Sequence, residues 1–370
     1  MEQHTMGNQR GRRAYFAASN SEQGFCSRYE ACFRTAAERT WIIKGGPGTG
    51  KSRMMWDMVA AGERAGYQAE LYLCSSDPDS LDAVLLRRGA GESLLFLDGT
   101  APHEMELREP GIREQLVDLG AFWSQETLMQ RALDIRALMA QKQACYACAY
   151  RYLRGAGACH ENMLAIMQDA IVRGAVDRLA ARLFAGATLG DGTAERAQPR
   201  YLSTCSLGMK GWVSLSTFAE AAQRICRLER CHGVEYAVLA ALVERAVQSG
   251  EAVVVSCHPV FCHCYDAVFF ERSGVAVLLE EEREDEGEED GCYSRTVKLR
   301  RLLNPTVLRE RRAAWREGKR LCDALLQAAE RCLREAARPH FALESIYGEA
   351  MDFAAKEAYS HRLAAQLFGE

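Results

Sequence analysis

The sequence contains no long uninterrupted apolar run and carries little net charge. None of its apolar stretches approaches the roughly 20 residues that a membrane-spanning helix needs. The formal net charge of −4 gives no overall attraction to nucleic acid or to an anionic membrane. Residues 1–16 include arginines but lack the apolar core and the small-residue cleavage site of a secretory signal. We therefore expect a cytoplasmic protein with no membrane partner, and we do not expect nucleic-acid binding.

Lysine is scarce, with seven residues against 39 arginines, a bias that we attribute to genome composition rather than to function. Cysteine is not scarce. The 15 cysteines occur in a long chain without an export signal, so we expect buried, reduced thiols rather than disulfides. With 370 residues, 48% of them hydrophobic, the chain is long enough for one large or two ordinary globular domains.

The most informative segment is a glycine-rich loop that fits the pattern G-x-x-x-x-G-K-[ST] at every fixed position. Its residues are Gly45, Gly46, Pro47, Gly48, Thr49, Gly50, Lys51 and Ser52. Glycines allow backbone angles at which successive N–H groups can point toward phosphate oxygens. In this pattern Lys51 reaches the β- and γ-phosphates and the Ser52 hydroxyl binds Mg²⁺. The loop therefore predicts a site for ATP and Mg²⁺.

The surrounding residues match the structural context that this motif needs. Residues 40–44 form an apolar, partly β-branched run that is typical of a buried strand. Residues 52–66 follow with the apolar spacing of a helix and end at a glycine. The order of strand, loop and helix favours a phosphate-binding loop over a chance turn.

A second predicted strand, residues 93–97, ends at Asp98. An apolar strand that ends in aspartate after a phosphate loop is the Walker B pattern, and its carboxylate holds the Mg²⁺ shell. The alternative is that Asp98 only caps the turn that follows it. We predict Asp98 as a catalytic and metal-binding residue.

Two acidic residues, Asp77 and Asp79, follow the predicted strand 69–74. They lie where open α/β sheets bind ligands, so they could position the attacking water, bind Mg²⁺ or orient a phosphate acceptor. The alternative is a turn that leads into a helix capped by Asp79 or Ser80. Weaker polar candidates after Asp98 are His103 and Glu104 for water or substrate, and Arg108 and Arg113 for phosphate.

The chain also contains an internal repeat. With a shift of 184 residues, the segment 66–86 aligns without gaps on 250–270, and a similar match upstream needs a three-residue insertion or deletion. In this alignment the second loop, 229–236, has Glu235 at the position of Lys51 and Tyr236 at the position of Ser52. A carboxylate there would repel phosphate, so we predict one ATP per chain and a degenerate second site.

Other clusters give weaker signals. The acidic run 280–290 is most simply a solvated loop, with docking of a basic partner as the alternative. Cys145 and Cys148 form a CxxC, and a second group is crowded into residues 257–264. A metal or redox role for these groups is the alternative to reduced thiols.

Both copies predict alternating strands and helices followed by two long helices, at 125–153 and 161–184 in the first copy. This order indicates an α/β fold with a mainly parallel sheet and flanking helices, duplicated in tandem, with long helical hairpins. Residues 186–199 are the most linker-like segment. We place an active domain at 1–195 and a degenerate repeat domain at 196–370.

The two-copy layout, with GGPGTGKS, CSSDPDSLDAV and FLDGTAPHEMELREPG, resembles a poorly characterised family of tandem P-loop ATPases from Gram-positive bacteria. The resemblance covers nearly the whole chain and implies nucleotide binding and hydrolysis, with no known substrate. In that family both copies usually carry a phosphate loop, and this sequence departs from it by losing the second.

The leading hypothesis is a Mg²⁺-dependent ATPase in which ATP binding or hydrolysis is coupled to a conformational change. One alternative is a small-molecule or nucleotide kinase, with Asp77 and Asp79 on the acceptor and Arg87 or Arg88 in a mobile lid. Another is a nucleotide-gated scaffold without catalysis, whose second copy binds a partner. The small-molecule or protein partner is not specified by the sequence.

Overall fold

The computed structural model describes residues 11–89, 91–188, 197–280 and 294–369. The acidic run from residue 281 onward and most of the predicted linker at 186–199 lie outside the described residues. Within the described ranges, no helix is both long enough and apolar enough to cross a membrane.

The first half consists of strands followed by long helices. Its strands are β1 (Arg13–Tyr15), β2 (Ala18–Ser21), β3 (Gly24–Ser27), β4 (Arg39–Lys44), β5 (Gln68–Leu73), β6 (Leu81–Arg88), β7 (Glu92–Asp98) and β8 (Glu114–Asp118). Its helices are α1 (Tyr29–Phe33), α2 (Lys51–Arg64), α3 (Gln125–Gln130), α4 (Ala132–Gln168) and α5 (Arg173–Ala187).

The second half repeats this order of elements. Its strands are β9 (Arg200–Leu202), β10 (Cys205–Gly208), β11 (Gly211–Ser214), β12 (Arg224–Leu228), β13 (Val253–Cys257), β14 (Tyr265–Phe270), β15 (Val275–Leu279) and β16 (Ser294–Val297). Its helices are α6 (Thr217–Ala221), α7 (Val234–Ser249), α8 (Pro305–Glu335), α9 (Ala337–Ala350) and α10 (Phe353–Phe368).

Each half contains a six-stranded sheet, and the two sheets have the same strand order. The orders are β1-β5-β6-β7-β4-β8 and β9-β13-β14-β15-β12-β16. In both sheets three neighbouring pairs are parallel and two are antiparallel, because β6 and β14 run against the other strands. The predicted α/β duplication is confirmed, whereas the sheets are mixed and not as uniformly parallel as predicted.

The antiparallel strand β6 replaces a helix that the sequence offered as one outcome after Asp79 or Ser80. Residues 81–86 are buried on both faces of the sheet. A run of consecutive buried residues is typical of a central strand, since a helix of that length would expose one side. The helix alternative is therefore wrong, and β6 also separates β5 from β7 in the sheet.

Helix α4 is continuous where the sequence predicted a break between residues 153 and 161. The small residues in this interval are contact points: Gly155 lies against Leu325 of α8 and Gly157 lies against Glu22. Farther along α4, Met163 contacts Gly318 of α8, so the two long helices run antiparallel. Small residues let the helix backbone approach its neighbours closely, which explains why they do not end the helix.

The terminal helices are exchanged between the halves. Helix α5 of the first half packs on α7, and its Val176 and Leu179 belong to the apolar core of the second sheet. Helix α10 of the second half packs on α2, and its Leu363 and Ala364 belong to the core of the first sheet. This exchange brings the C-terminal helices next to the loop 45–52. The domain boundary between residues 195 and 196 stays a prediction.

Candidate functional site

The loop 45–50 joins the buried strand β4 to the first residue of α2, as predicted. Gly48 and Gly50 have left-handed backbone, with φ of +71° and +84°, which glycine adopts without strain. Thr49 is fully buried, and its hydroxyl donates to the carbonyl of Gly46 at 2.9 Å. Among the described residues, no acceptor is hydrogen-bonded to the backbone N–H groups of Gly48 and Gly50. Free N–H groups at the positive end of a helix form an anion-binding arrangement.

Lys51 lies across the mouth of this loop. Its ammonium group donates to the carbonyls of Gly45 at 3.0 Å and Gly46 at 2.8 Å. It also lies 3.5 Å from a carboxylate oxygen of Asp98. A single positive charge is thus held between the loop and the end of β7, where it can meet a polyphosphate.

Asp98 reaches this position because β7 is the direct neighbour of β4, with Asp98 opposite Ile43. Its carboxylate accepts a hydrogen bond from the N–H of Thr100 at 2.8 Å. Burial raises the pKa of Asp98, and the nearby Lys51 charge works against that shift. The structure therefore places two of the predicted site residues side by side.

Ser52 lies in the first turn of α2, and its hydroxyl oxygen accepts the N–H of Leu81 at 3.0 Å. A hydroxyl oxygen has a second lone pair, so this bond leaves a position for a metal ion. The oxygens of Ser52 and Asp98 are ligands of the type that Mg²⁺ prefers. These residues fit a Mg²⁺ ion bound together with phosphates.

The acidic pair that follows β5 is engaged by the second half of the chain. Lys210, between β10 and β11, lies 3.4 Å from Asp77 and forms an ion pair with Asp79. Asp77 is buried, whereas Asp79 is exposed. Of the two, Asp77 is therefore better placed to face a bound ligand. Both residues connect this edge of the site to the second half of the chain through Lys210.

Of the four weaker candidates after Asp98, the two arginines and Glu104 do not converge on the loop. Arg108 forms an ion pair with Glu30, and Arg113 donates to the carbonyl of Ala37 at the opposite edge of the sheet. Glu104 is exposed. The prediction that these arginines bind phosphate is wrong, since their guanidinium groups are engaged elsewhere. His103 is buried within a separate cluster described below.

Arg87 and Arg88 are not part of a lid. They lie at the end of β6, where they pair with Ser93 and Glu92 in the hairpin to β7. Because β6 is antiparallel, this hairpin is at the sheet edge opposite the loop. The side chain of Arg88 forms an ion pair with Glu92 at 2.6 Å. The lid assigned to these arginines in the kinase alternative is therefore wrong.

Sequence reasoning missed the helices that cover the loop. A Cβ placed on Gly46 would lie 2.7 Å from the ring of Tyr347, and one on Gly48 would lie 2.3 Å from the carbonyl oxygen of Glu344. Both contacts come from α9, about 300 residues away in the chain. Helical periodicity identifies α9 as a helix but carries no signal for its position.

Two basic side chains face each other close to Lys51. The ammonium of Lys142 on α4 lies 2.9 Å from Nδ1 of His340 on α9. Burial, followed by the charges of Lys142 and Lys51, lowers the pKa of His340 to about 4. Burial and the Lys51 charge also lower the pKa of Lys142, against the opposing effects of Cys74 and Glu344. A bound polyphosphate would relieve this crowding of positive groups.

The second loop has no comparable arrangement, and the structure corrects its alignment by one residue. The left-handed residue before the helix is Gly233, which corresponds to Gly50, not to Thr49. Val234 therefore takes the position of Lys51, and Glu235 takes the position of Ser52. Val234 is fully buried in the apolar core. The predicted loss of the lysine remains, although a valine and not a glutamate replaces it.

Glu235 fills the second loop from within. Its buried carboxylate accepts the N–H of Cys231 at 2.9 Å, and burial raises its pKa. The register of the second sheet places Leu279 opposite Leu228, as Asp98 is placed opposite Ile43 in the first. At the positions that correspond to Lys51 and Asp98 the second half thus has apolar residues, and the backbone N–H of Cys231 is not free.

The cysteine clusters selected from the sequence do not form a metal centre within the described ranges. Cys145, Cys148, Cys257, Cys262 and Cys264 are free thiols there. In the same ranges a single group of donors converges, and it consists of Cys74, Asp82 and His103. These three follow or lie in separate strands and do not have the spacing of a known metal-ligand motif, so no motif indicated them as a set.

Comparison of the chain with family models, with curated proteins and with solved structures found no match.

We predict that Gly48→Ala destabilises the protein by at least about 2 kcal/mol. Left-handed backbone costs a non-glycine residue about 1–2 kcal/mol, and the new Cβ would meet the backbone oxygen of Glu344 at 2.3 Å. Gly111→Ala is the control, because Gly111 has a similar φ of +77° with no atom within 4 Å of its Cβ position. Denaturant unfolding measures both losses. Equal losses would mean that α9 does not press on the loop.

Proposed function

We propose that this chain is a P-loop NTPase that binds one ATP at residues 45–52 and hydrolyses it in a Mg²⁺-dependent reaction. The observation that carries the proposal is the position of Lys51, held between the carbonyls of the loop and the Asp98 carboxylate at the N-terminus of α2. Left-handed glycines and free backbone N–H groups complete this cradle. Such groups stabilise a transferring phosphoryl group by position and charge.

Each residue has a defined part in the reaction. The ammonium of Lys51 exchanges its loop carbonyls for phosphate oxygens and neutralises charge that develops on the transferring group. Ser52 and Asp98 would hold Mg²⁺, which supplies further neutralisation of the phosphates. Asp77 is the residue of its acidic pair that is buried at this edge, and we assign it to orient the attacking water.

The proposal includes a coupling between nucleotide and conformation. Helix α9 contacts Gly46 and Gly48, so a loop that adjusts to phosphate must displace or reorient this helix. Lys210 links the second half to Asp77 and Asp79 on the other side of the site. Both contacts come from the second half of the chain, which carries the degenerate loop. In this proposal the second half changes its position when ATP binds or is hydrolysed at the first loop.

Hydrolysis is favoured over phosphate transfer to a metabolite. The kinase alternative needs an arginine lid and a free acidic pair, but Arg87 and Arg88 lie at the hairpin away from the loop, and Asp79 is paired with Lys210. Water needs no acceptor site of its own. The scaffold alternative predicts ATP binding without turnover, so an assay of phosphate release distinguishes it from an ATPase.

The test is phosphate release from ATP by the purified chain, with Mg²⁺ and with EDTA. We expect steady release that requires Mg²⁺ and does not depend on an added metabolite. Release that rises only with a metabolite pool, with the label on the metabolite, would establish a kinase. Tight ATP binding with turnover at the background rate would establish the scaffold. If the chain neither binds ATP nor hydrolyses it, the proposal as a whole is overturned.

A further inference from the structure

Beside the loop 45–52, three potential metal ligands from separate segments meet at one point. Cys74 follows β5, Asp82 lies near the start of β6 and His103 follows β7. One donor atom from each lies within 4.8 Å of the other two. The imidazole Nε2 of His103 is 3.1 Å from a carboxylate oxygen of Asp82.

The backbone directs Asp82 into this cluster through a β-bulge. Tyr72 pairs with Ala83 and Leu73 pairs with Leu81, so Asp82 is an extra residue with no partner on β5. Bulges of this kind change the direction of a side chain and are common next to functional sites. The orientation of the carboxylate is therefore a feature of the strand pairing.

The cluster contains a buried polar atom that the protein leaves without a partner. His103 is 93% buried, and its Nδ1 makes no hydrogen bond within the described residues. Its ring is stacked on Tyr29, with centroids 4.7 Å apart and planes 13° apart, and it meets the edge of Phe25. Buried polar atoms without a partner are uncommon and often mark a site completed by another species.

We propose that Cys74, Asp82 and His103 form a binding site for one divalent transition-metal ion of the zinc class. Thiolate, imidazole and carboxylate are the ligands that zinc takes, at about 2.0–2.3 Å. Such bonds separate tetrahedral ligands by about 3.3–3.8 Å. The His103–Asp82 distance of 3.1 Å would widen by a few tenths of an ångström, and the three donors, which lie within 4.8 Å of one another, would draw together by at most about 1–1.5 Å. Three protein ligands leave a fourth position for water or another oxygen.

The donor set also suits the charge of the ion. A thiolate and a carboxylate carry two negative charges, which balance one dication, and a neutral imidazole adds no charge.

The site lies close to the proposed nucleotide site but does not depend on it. Asp82 adjoins Leu81, whose N–H is bound by Ser52, and the Asp82 charge contributes to the raised pKa of Asp98. A metal ion on Asp82 would reduce this effect on Asp98. Metal binding at Cys74, Asp82 and His103 can nevertheless be measured without ATP.

The experiment uses the full chain, stripped of metal and titrated separately with Zn²⁺ and Co²⁺. We expect one ion per chain, a thiolate-to-cobalt charge-transfer band, and proton release on binding, because the thiol must lose its proton to bind the ion. Cys74→Ser should abolish the band, and both Cys74→Ser and His103→Gln should weaken Zn²⁺ binding by at least about 100-fold. Cys148→Ser is the control and should leave the band and the affinity unchanged.

Several outcomes would overturn the inference. These are no stoichiometric binding, a band that survives in Cys74→Ser, or a band lost in Cys148→Ser. Circular dichroism of each variant checks folding, and His103→Gln gives an independent reading if Cys74→Ser does not fold. Lys51→Ala should keep the ion, so failure of the ATPase proposal and failure of the metal site give different results.

Discussion

Lys51→Ala is expected to reduce ATP turnover by about 100- to 1,000-fold, the usual effect of removing one group that stabilises developing charge. The ammonium of Lys51 is the positive side chain in direct contact with the loop carbonyls, and it also lies 3.5 Å from Asp98. Alanine would leave the free N–H groups in place but would remove the charge that meets the β- and γ-phosphates. Phosphate release at saturating ATP measures the loss.

Lys319→Ala is the matched control for this variant. Lys319 pairs with Asp323 on α8, away from the loop, so its loss should leave turnover unchanged. Thermal unfolding of both variants separates a catalytic effect from a loss of fold. Turnover that survives in Lys51→Ala would show that the catalytic centre lies elsewhere.

Asp98→Asn is expected to lower Mg²⁺-dependent turnover by about 100-fold while ATP binding without Mg²⁺ is retained or strengthened. Asparagine keeps the shape of the side chain and can still accept the N–H of Thr100. It removes the negative charge that would hold the metal, and this charge also repels phosphate. Turnover as a function of Mg²⁺ concentration should show a higher requirement for the ion.

Asp118→Asn provides the corresponding control. Asp118 ends β8, which lies on the other side of β4 from β7. Its carboxylate accepts the N–H of Gly120 much as Asp98 accepts that of Thr100. The substitution should leave the Mg²⁺ requirement unchanged. An identical shift in both variants would mean that Asp98 acts through local structure and not through the metal.

The sequence was sufficient to predict those parts of the site that depend on local patterns. The apolar run before Gly45, the glycines of the loop and the helical spacing after Lys51 predicted β4, the turn and α2. Asp98 was located because an apolar strand ends there. These features depend on residues within a few positions of each other, so periodicity and turn chemistry are enough.

Other parts depend on contacts between distant segments, which periodicity does not describe. Strand β6 was missed because a short buried run fits a strand or a helix equally well, and its neighbours in the sheet decide between them. The one-residue error at Gly233 arose because the gapless alignment, anchored at Gly66 and Gly250, did not include an extra residue between Gly233 and Gly250. The approach of Lys142 and His340 follows from the exchange of helices between the halves, for which the sequence has no signal.

The central claim is that the first loop binds ATP and its counterpart in the repeat does not. Isothermal titration of the metal-free chain with Mg·ATP tests it most directly, by counting the nucleotides bound per chain. We predict one nucleotide in the native protein, bound with markedly weaker affinity in Lys51→Ala. Two nucleotides per chain, or undiminished binding in Lys51→Ala, would contradict the account.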